Sequence, residues 1–290
     1  MSSGGLELLT IKIQQMTIES TNLQNSTDTA ITYSECYQQC FCSDNLELIK
    51  TIESNTIDLI YCDILYGTGR RFADYQDLKP IRSEIESHYI PRIKEMHRIL
   101  KNTGSIYLQM DTRINHWIRC ILDDVFGHDR FLNEIVWYYS GGGAGKSKFT
   151  NKHDNILWYS KSTNYIFNAD SIRVPYEGTG GYQNSNGIMN NGKLYKPNEL
   201  GKICEDVWKI PIIHPNDTKE RTGYDTQKPK SLLERIIKAS SNEGDLVADF
   251  YLGSGTTAEV CKDLNRNFIG CDINPRAVEI TLKRLNDARS

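Results

Sequence analysis

The chain has 290 residues, 39% of them hydrophobic and 24% charged, which is enough apolar material for a buried core and excludes a broadly disordered protein. Its 34 lysines and arginines against 37 aspartates and glutamates give a net charge of −3, which excludes a uniformly basic surface but not a local basic face. No apolar run approaches the ~20 residues of a membrane span. No secretory leader is visible at Met1–Thr10, so we expect a cytoplasmic protein without a membrane segment.

Two further features bound the class of protein. The eight cysteines are scattered and form no Cys-x-x-Cys pair, so we expect free thiols and no metal site. Residues 1–33 are rich in Ser, Thr, Asn and Gln, with few large apolar side chains after Met16, which predicts a flexible N-terminal arm. A short helix inside Leu6–Met16 is also compatible with this pattern.

Residues 34–139 have the pattern of an α/β domain. The apolar run Ile57–Cys62 predicts a buried strand that stops at Asp63. The elements predicted after it are, in order, a helix over Ile81–Leu100, a turn at Asn102–Gly104, a strand over Ser105–Met110 that ends at Asp111, a helix over Thr112–Phe126 and a strand near Asn133–Tyr139.

Residues 140–220 differ in composition from the rest of the chain. They are rich in Gly, Asn and Tyr, with short strand-like pieces at Asn155–Tyr159 and Tyr165–Phe167 and no long helical pattern. From Tyr138 to Lys230 there are 13 Lys and Arg against 9 Asp and Glu, a charge of +4 that leaves −7 for the remainder. A basic, aromatic-rich insert in an acidic chain suggests a surface that faces a polyanion. A solvated loop region with ordinary charge scatter is the alternative.

The α/β alternation resumes in residues 221–290. The pattern predicts a helix that starts at Pro229, a strand over Asp245–Asp249, a tight turn at Gly253–Gly255, a helix over Thr256–Leu264, a strand over Phe268–Asp272 and a final helix capped by Asn274 with Pro275 as its first residue. Strands that alternate with helices on both sides of an insert predict one doubly wound, mostly parallel sheet of the Rossmann-like kind, built from two separate stretches of chain.

A glycine turn followed by an acid predicts a nucleoside-cofactor site. Gly253 and Gly255 come directly after the strand that ends at Asp249, and the helix that starts at Thr256 presents its N-terminus to negative groups. Asp272 ends the next strand, where a carboxylate can accept the two hydroxyls of a ribose. The turn lacks the third glycine of a dinucleotide fingerprint, which favours S-adenosylmethionine over a nicotinamide cofactor. A purely structural turn is the alternative.

Four motifs together resemble a known family. Asp63-Ile64-Leu65-Tyr66, the insert at 140–220, Thr226-Gln227-Lys228-Pro229 and Gly253-Ser254-Gly255-Thr256-Thr257 occur in the order found in the permuted, or beta, class of DNA amino-methyltransferases of restriction-modification systems. The resemblance covers about residues 33–290. Ile64 and Leu65 depart from it, because the family has two prolines there, and Phe250-Tyr251 stands where the family usually has Pro-Phe.

The resemblance implies a reaction and a division of labour. Residues 34–139 would hold the target base, 140–220 would read the DNA sequence and 221–290 would bind S-adenosylmethionine. Asp63 and the carbonyl of Ile64 would accept the hydrogens of an exocyclic amine, while Tyr66 would stack on a base rotated out of the duplex. In the family an acidic first residue goes mostly with adenine N6, so N4-cytosine is the less favoured target.

The two missing prolines keep three interpretations open. Proline fixes φ and stiffens the catalytic loop, so its loss predicts looser docking of the amine. An active enzyme, an impaired relative that still binds DNA, and strand-end residues with a structural role all remain compatible with the sequence.

Further cofactor contacts are implied residue by residue. Asp44 matches the acidic turn near the cofactor's adenine, although it could equally cap a helix over Leu46–Lys50. Thr226 and Lys228 match the segment near the methionine end, although Thr226 could merely belong to a turn. Tyr251 could line the cofactor site or belong to the core. The full expected set is Asp44, Asp63, Thr226, Lys228, Asp249, Phe250, Tyr251, Gly253, Gly255, Thr256 and Asp272.

A glycine-rich stretch imitates a phosphate-binding loop but fails its pattern. Ser140–Ser147 has Ser where that pattern needs its first Gly, and no suitable helix follows. We expect instead a basic loop in which Lys146, Lys148 and Lys152 contact DNA phosphates, with a plain linker as the alternative. Arg70 and Arg71 could also meet phosphate, or be exposed without a role. His153-Asp154 has no motif-placed nucleophile, so no hydrolase triad is expected.

The resemblance also implies partners. Double-stranded DNA is the expected substrate, and a prokaryotic, nucleoid-associated location would follow. Related enzymes often pair and often act beside a nuclease that cuts the same site, so a homodimer and a cognate restriction endonuclease are open expectations.

Overall fold

The computed structural model describes residues 37–72, 75–139, 145–176, 187–214 and 216–287. The expected N-terminal arm at 1–33, with the helix considered in it, lies outside the described residues. Eight strands form the main sheet in the order β1-β12-β11-β2-β3-β5-β4-β10. Their bounds are β1 Gln38–Cys42, β2 Ile57–Asp63, β3 Leu100–Met110, β4 Phe131–Tyr138, β5 His153–Ser160, β10 Val207–Lys209, β11 Leu246–Asp249 and β12 Asn267–Asp272.

Helices cover both faces of this sheet, which confirms the doubly wound fold. They are α1 Asn45–Thr51, α2 Arg82–Ile99, α3 Asn115–Phe126, α4 Lys230–Ser240, α5 Thr256–Asp263 and α6 Pro275–Asp287, with short 3-10 turns at His128–Arg130 and Ala169–Ile172. Alternate residues of β2 serve the two faces, as the period of a strand requires. Ile60 and Cys62 pack with α1, α2 and α3, whereas Leu59 and Tyr61 pack with α4, α5 and α6.

The sheet is mostly parallel, as the alternation predicted. β1, β12, β11, β2 and β3 are parallel neighbours, and β10 is parallel to β4. The apolar runs of β2 and β11 are buried on both sides of the sheet, which is why these two strands read as continuous hydrophobic segments. The strand ends at Asp63, Asp249 and Asp272 were predicted correctly. α6 begins at Pro275 after Asn274, whose Oδ1 accepts the N–H of Arg276 at 3.0 Å.

Three details differ from the sequence expectations. The turn predicted at Asn102–Gly104 is wrong, because these residues lie inside β3 where its register against β2 shifts. The strand predicted at Tyr165–Phe167 is also wrong, because the segment has no regular structure. β1 was not predicted at all, although it forms an edge of the sheet through its pairing with β12.

Parts of the predicted insert belong to the main sheet. β5 runs antiparallel between β3 and β4, and β10 extends the sheet beyond β4. The other strands of the region form two small antiparallel sheets, one from β6 Arg173–Val174 with β9 Lys202–Ile203 and one from β7 Ile188–Asn190 with β8 Lys193–Tyr195. The role of this region in reading DNA sequence stays a prediction. Within the described ranges, every helix is too short or too polar to span a lipid bilayer.

Candidate active site

The carboxyl ends of β2, β11 and β12 meet around one cavity of about 490 Å³. Open parallel sheets place ligands at this edge because the strand ends and the loops that follow them converge there. The two halves of the chain contribute to the same wall, which includes Asp44, Asp63, Ile64, Tyr66, Thr226, Lys228, Asp249, Phe250, Tyr251, Gly253, Thr256 and Asp272. The predicted substrate and cofactor residues therefore share one space.

The glycine turn is held against β12 by a carboxylate. Asp272 Oδ2 accepts the N–H of Gly253 at 2.9 Å, and its Oδ1 accepts the N–H of Asn274 at 2.9 Å. Gly253 has φ +51° and Gly255 φ +73°, a backbone region that favours glycine. A Cβ on Gly255 would lie 2.4 Å from Thr281 Oγ1, so this glycine allows α6 to approach closely. Gly255 thus lies behind the cavity wall, and its cofactor contact stays a prediction.

Asp249 presents a buried carboxyl to the cavity. Its oxygens accept Thr257 Oγ1 at 2.6 Å and the N–H of Tyr251 at 3.0 Å. Burial raises the pKa of Asp249 to about 7, with the nearby carboxylates Asp63 and Asp272 acting in the same direction. A cation bound in the cavity would favour the ionised form. These residues fit S-adenosylmethionine, which carries two positive groups and has ribose hydroxyls of the kind that a carboxylate such as Asp272 accepts.

Asp44 both caps a helix and lines the cavity. Its Oδ1 accepts the N–H of Leu46 at 2.8 Å at the start of α1, and its Oδ2 accepts Arg92 Nη2 at 2.9 Å. The helix-cap interpretation of Asp44 is therefore confirmed. Its contact with a cofactor adenine stays a prediction, and the cap and ion pair fix the carboxylate in place for such a contact.

Two cavity residues from α2 were missed by the sequence reasoning. Arg92 donates through Nε to Asn45 Oδ1 at 2.6 Å as well as to Asp44, and His88 Nε2 lies 3.1 Å from Tyr251 Oη. Burial and the Arg92 cation lower the pKa of His88 to about 4, so its ring is neutral near pH 7. No motif marked these residues, because they occupy ordinary positions in an amphipathic helix.

The two aromatic residues before the glycine turn both line the cavity but differ in burial. Phe250 is almost fully buried, with its N–H 3.4 Å from Cys62 Sγ and its carbonyl accepting Asn45 Nδ2 at 3.0 Å. Tyr251 is half-buried and reaches the cavity beside His88. Thr256 Oγ1 donates to the carbonyl of Lys228 at 3.1 Å, which ties the start of α5 to the segment before α4.

Asp63, at the end of β2, lines the cavity and has two side-chain partners. Lys228 Nζ forms an ion pair with its Oδ2, and Tyr66 Oη lies 2.9 Å from its Oδ1. Lys228 Nζ also donates to the carbonyl of Thr226 at 3.2 Å. Burial raises the pKa of Asp63, while the Lys228 ammonium opposes this rise. Lys228, expected near the methionine end of a cofactor, thus holds the proposed catalytic carboxylate.

Hydrogen bonds hold the loop at the two positions where the family has prolines. The N–H of Ile64 donates to the carbonyl of Gln109 at 3.1 Å, a bond that proline could not make. The carbonyl of Leu65 accepts Tyr89 Oη at 3.0 Å. Both Ile64 and Tyr89 are almost fully buried. The loop is therefore anchored by other means than the restricted φ of proline.

The residues predicted to bind phosphate lie on loops at the edge of the sheet that carries the cavity. Arg70 and Arg71 are exposed in the segment after Tyr66. Lys146 and Lys148 are exposed between β4 and β5, while Lys152 is half-buried. Because β5 is antiparallel to β3, this connection emerges beside the carboxyl end of β3.

The phosphate-loop pattern and the expected lack of a metal site are the two remaining sequence predictions. Residues 140–144, which carry most of the phosphate-loop pattern, lie outside the described residues. Across the described ranges, no group of three or more His, Cys, Asp or Glu side chains is arranged to hold a metal ion.

Comparisons with known proteins agree on one family. The N6/N4 DNA methylase model, described as "DNA methylase", matches residues 57–283. The type II methyltransferase M.HpaI of Haemophilus parainfluenzae is 36% identical over 250 residues, which cover 86% of this chain and 74% of the relative. The DNA adenine methyltransferase YhdJ of Escherichia coli K12 is 32% identical over 248 residues, 84% of this chain and 81% of the relative.

Solved structures share the fold at low sequence identity. The PvuII cytosine-N4-specific DNA methyltransferase has a TM-score of 0.66 at 16% identity and covers 89% of both chains. M1.HpyAVI in complex with SAM has a TM-score of 0.56 at 21% identity and covers 86% of this chain and 99% of the other. With a family match over 57–283 and curated relatives above 30% identity, the chain belongs to the N6/N4 DNA methylase family.

Proposed function

We propose that this protein transfers a methyl group from S-adenosylmethionine to N6 of adenine at a specific site in duplex DNA. The observation that carries the proposal is the shared cavity, which Asp63 and Ile64 line together with Asp249, Gly253 and Asp272. A methyl donor held by the second set would face a base amine held by the first.

The residues of β2 and its loop would activate the amine. An exocyclic amine is a poor nucleophile because its lone pair is delocalised into the ring. Asp63 accepts one amine hydrogen and the carbonyl of Ile64 accepts the other, which draws the nitrogen towards a tetrahedral shape with its lone pair free. Tyr66 stacks on the extruded base. The cofactor supplies an already activated methyl group, so the protein contributes mainly alignment and electrostatics.

Adenine is the target we propose, with cytosine N4 as the other candidate. The acidic residue at position 63 favours adenine within the family, and the relative from Escherichia coli is named as an adenine methyltransferase. The PvuII enzyme, whose structure shares the fold, is named as cytosine-N4-specific. Base-resolved sequencing of DNA from cells that express the protein distinguishes N6-methyladenine from N4-methylcytosine and gives the site.

An active enzyme is favoured over an impaired relative. The main objection was the loss of two prolines, yet the bonds from Ile64 to Gln109 and from Tyr89 to Leu65 supply the anchoring that the prolines would provide. Asp63 is also paired with a lysine, which favours its ionised, hydrogen-accepting form.

The experiment is methyl transfer to duplex DNA that contains the mapped site. We expect turnover by the native protein and a loss of about 10³-fold in Asp63→Ala, since this change removes the carboxylate that orients the amine. S-adenosylmethionine binding, measured by calorimetry, should persist in the variant. Turnover retained in Asp63→Ala would contradict the mechanism, and no turnover by the native protein would contradict the function.

The loop between β4 and β5 is proposed to track the DNA backbone. Lys146 and Lys148 are exposed on either side of Ser147, and Phe149 beside them is 99% exposed. Each lost phosphate contact lowers the slope of log affinity against log salt by about 0.9. We therefore expect the double variant Lys146→Ala, Lys148→Ala to lower that slope by about 2. Lys79→Ala, at another exposed lysine, is the control and should keep the native slope. An unchanged slope in the double variant would place the DNA elsewhere.

The biological setting is also a proposal. The relatives named as type II methyltransferases suggest that the protein serves a restriction-modification system beside a nuclease for the same site. A homodimer and a nucleoid location would be in keeping with that role. Light scattering of the purified protein and a digestion test of modified DNA examine the first two points.

A further inference from the structure

A buried carboxylate that the proposed mechanism does not use lies one side chain away from Asp63. Asp154, at the start of β5, is 3% exposed. Its Oδ2 accepts Tyr66 Oη at 2.6 Å and Gln109 Nε2 at 3.0 Å, and its Oδ1 accepts Tyr139 Oη at 3.0 Å. All three donors are neutral groups. In the sequence this residue stood out only as part of His153-Asp154, a pair with no motif-placed nucleophile.

The hydroxyl of Tyr66 lies between two carboxylates. It is 2.9 Å from Asp63 Oδ1 and 2.6 Å from Asp154 Oδ2, and both distances are those of O–H···O hydrogen bonds. A hydroxyl has one proton, so it donates to only one carboxylate at a time. The other contact becomes a hydrogen bond once that carboxyl oxygen takes up a proton. The three groups are therefore arranged to hold one proton more than the tyrosine supplies.

The proposed reaction produces that proton. When the amine nitrogen bonds to the methyl carbon it carries one hydrogen too many, and an N–H bond must break for the methylated base to become neutral. Asp63 accepts this hydrogen as its own O–H bond forms. Lys228, its ion-pair partner, favours the anion, so the protonated carboxyl must pass the proton on before it can serve again.

We propose that Asp154 is a positioning residue that receives this proton through the hydroxyl of Tyr66. The O–H bond of Asp63 breaks as its proton moves to Tyr66 Oη, and the tyrosine's original proton moves to Asp154 Oδ2. The tyrosine ends neutral, Asp63 is again an anion and Asp154 holds the proton. Gln109, whose Oε1 accepts Tyr61 Oη at 2.7 Å, keeps the amide donor aimed at Asp154. The inference rests on the proposed methyl transfer.

Two substitutions isolate the proton path from the stacking role. Tyr66→Phe keeps the ring and removes the hydroxyl, and Asp154→Asn keeps the shape and removes the anionic acceptor. In single-turnover methylation at the mapped site we expect each to lower the rate about tenfold, with DNA affinity and S-adenosylmethionine affinity unchanged. The double variant should be no slower than either single variant, because both act through the same hydroxyl.

A second readout reports proton movement directly. The native protein should react more slowly in D₂O than in H₂O, and both single variants should lose most of that isotope effect. Fluorescence of 2-aminopurine at the target position should rise equally in all variants, which shows that base extrusion is intact. The matched control is another tyrosine–aspartate pair, Tyr159 and Asp123, which lies outside the cavity. Tyr159→Phe and Asp123→Asn should leave the rate and isotope effect unchanged.

The outcomes separate this proposal from the proposed function. The proton path would be overturned if the rate losses of Tyr66→Phe and Asp154→Asn multiply in the double variant. A full isotope effect in Asp154→Asn would also overturn it. Turnover by the native protein would still uphold the methyltransferase in both cases. A lower rate in Asp154→Asn that comes with lost DNA affinity or lost 2-aminopurine signal would show a structural role only. A native protein without turnover would overturn both.

Discussion

The two sides of the cavity are built in different ways. We call Asp249, Gly253 and Asp272 the cofactor rim, and Asp63, Ile64, Tyr66 and Lys228 the catalytic rim. In the cofactor rim the carboxylates accept hydrogen bonds from groups nearby in the chain. Asp249 accepts the N–H of Tyr251, and Asp272 accepts the N–H of Gly253, which lies 19 residues before it.

The catalytic rim depends on contacts between distant parts of the chain. Asp63 pairs with Lys228, 165 residues away, and Tyr66 reaches Asp154, 88 residues away. A ligand site made of local turns exists whenever the strand–turn–helix segment folds. The catalytic geometry exists only once β2, β5 and the segment before α4 are packed together. Substitutions should therefore disturb the two rims differently.

The largest expected effect comes from breaking the long-range ion pair. Lys228→Met leaves Asp63 buried without its cation, so the pKa of Asp63 rises further and more of the acceptor is protonated at a given pH. We expect methylation to fall about 10²-fold at the acidic end of the pH–rate profile and to recover partly as the pH is raised, because the ionised form returns above the raised pKa. The pH–rate profile measures this shift.

A neighbouring lysine provides the control for this change. Lys230 pairs with Glu259 and Asp263 and does not line the cavity. Lys230→Met should keep the native pH–rate profile. A profile of Lys228→Met that is lowered evenly at every pH would contradict the electrostatic role of this lysine.

An intermediate effect is expected from titration of the cofactor rim. Burial raises the pKa of Asp249 to about 7, so its anionic form, which would attract a bound cation, becomes populated as the pH rises towards 7. S-adenosylmethionine affinity should therefore rise about tenfold from pH 5.5 to 7, a range in which an α-amino group with a pKa near 8 stays charged. Calorimetric titrations at these two pH values measure the change.

Two variants assign this pH dependence to one carboxyl. Asp249→Asn should bind S-adenosylmethionine with an affinity that hardly varies with pH. Asp63→Asn should keep a pH dependence that is displaced to lower pH, because loss of the Asp63 charge lowers the pKa of Asp249. His88 does not contribute, because its pKa of about 4 leaves it neutral throughout. A native affinity that is flat from pH 5.5 to 7 would show that the cation does not meet Asp249.

The smallest expected effect concerns the anchor of the catalytic loop. Tyr89→Phe removes the hydroxyl that donates to the carbonyl of Leu65 and should cost about 1 kcal/mol of unfolding free energy. We also expect the methylation rate to fall a few-fold, because the loop that presents the Ile64 carbonyl loses one tether. Denaturant melts and single-turnover rates measure the two effects.

A second buried tyrosine separates stability from positioning. Tyr107 Oη is hydrogen-bonded to Ser240 Oγ at 2.7 Å in the core between the sheet and α4. Tyr107→Phe should lose similar stability without losing rate. Equal rate losses in the two variants would mean that Tyr89 acts through general stability alone.

Most of the fold was predictable because its determinants are local. The apolar runs that end at Asp63, Asp249 and Asp272 predicted their strands correctly, and the Gly253 turn was placed correctly between a strand and a helix. β1 was missed because Gln38–Cys42 is short and partly polar, and its burial follows only from pairing with β12. Asn102–Gly104 predicted a turn, yet these residues lie inside β3, where the register of its pairing with β2 shifts.

Within the site, motif order identified the main residues but not their partners. Asp63, Tyr66, Lys228 and Asp272 were named from the sequence, and the structure places them around one cavity. His88 and Arg92 could not be named, since nothing in a helical pattern shows which face meets a ligand.

The sequence by itself determined the α/β class, the strand ends that carry acids, the glycine turn and the motif order that points to the family. Each follows from side-chain periodicity or turn chemistry within a few residues. Tertiary structure alone decided that Lys228 holds Asp63, that Asp154 shares the Tyr66 hydroxyl and that β5 joins the main sheet. These contacts depend on which distant strands become neighbours, and that is settled by the packing of the whole core.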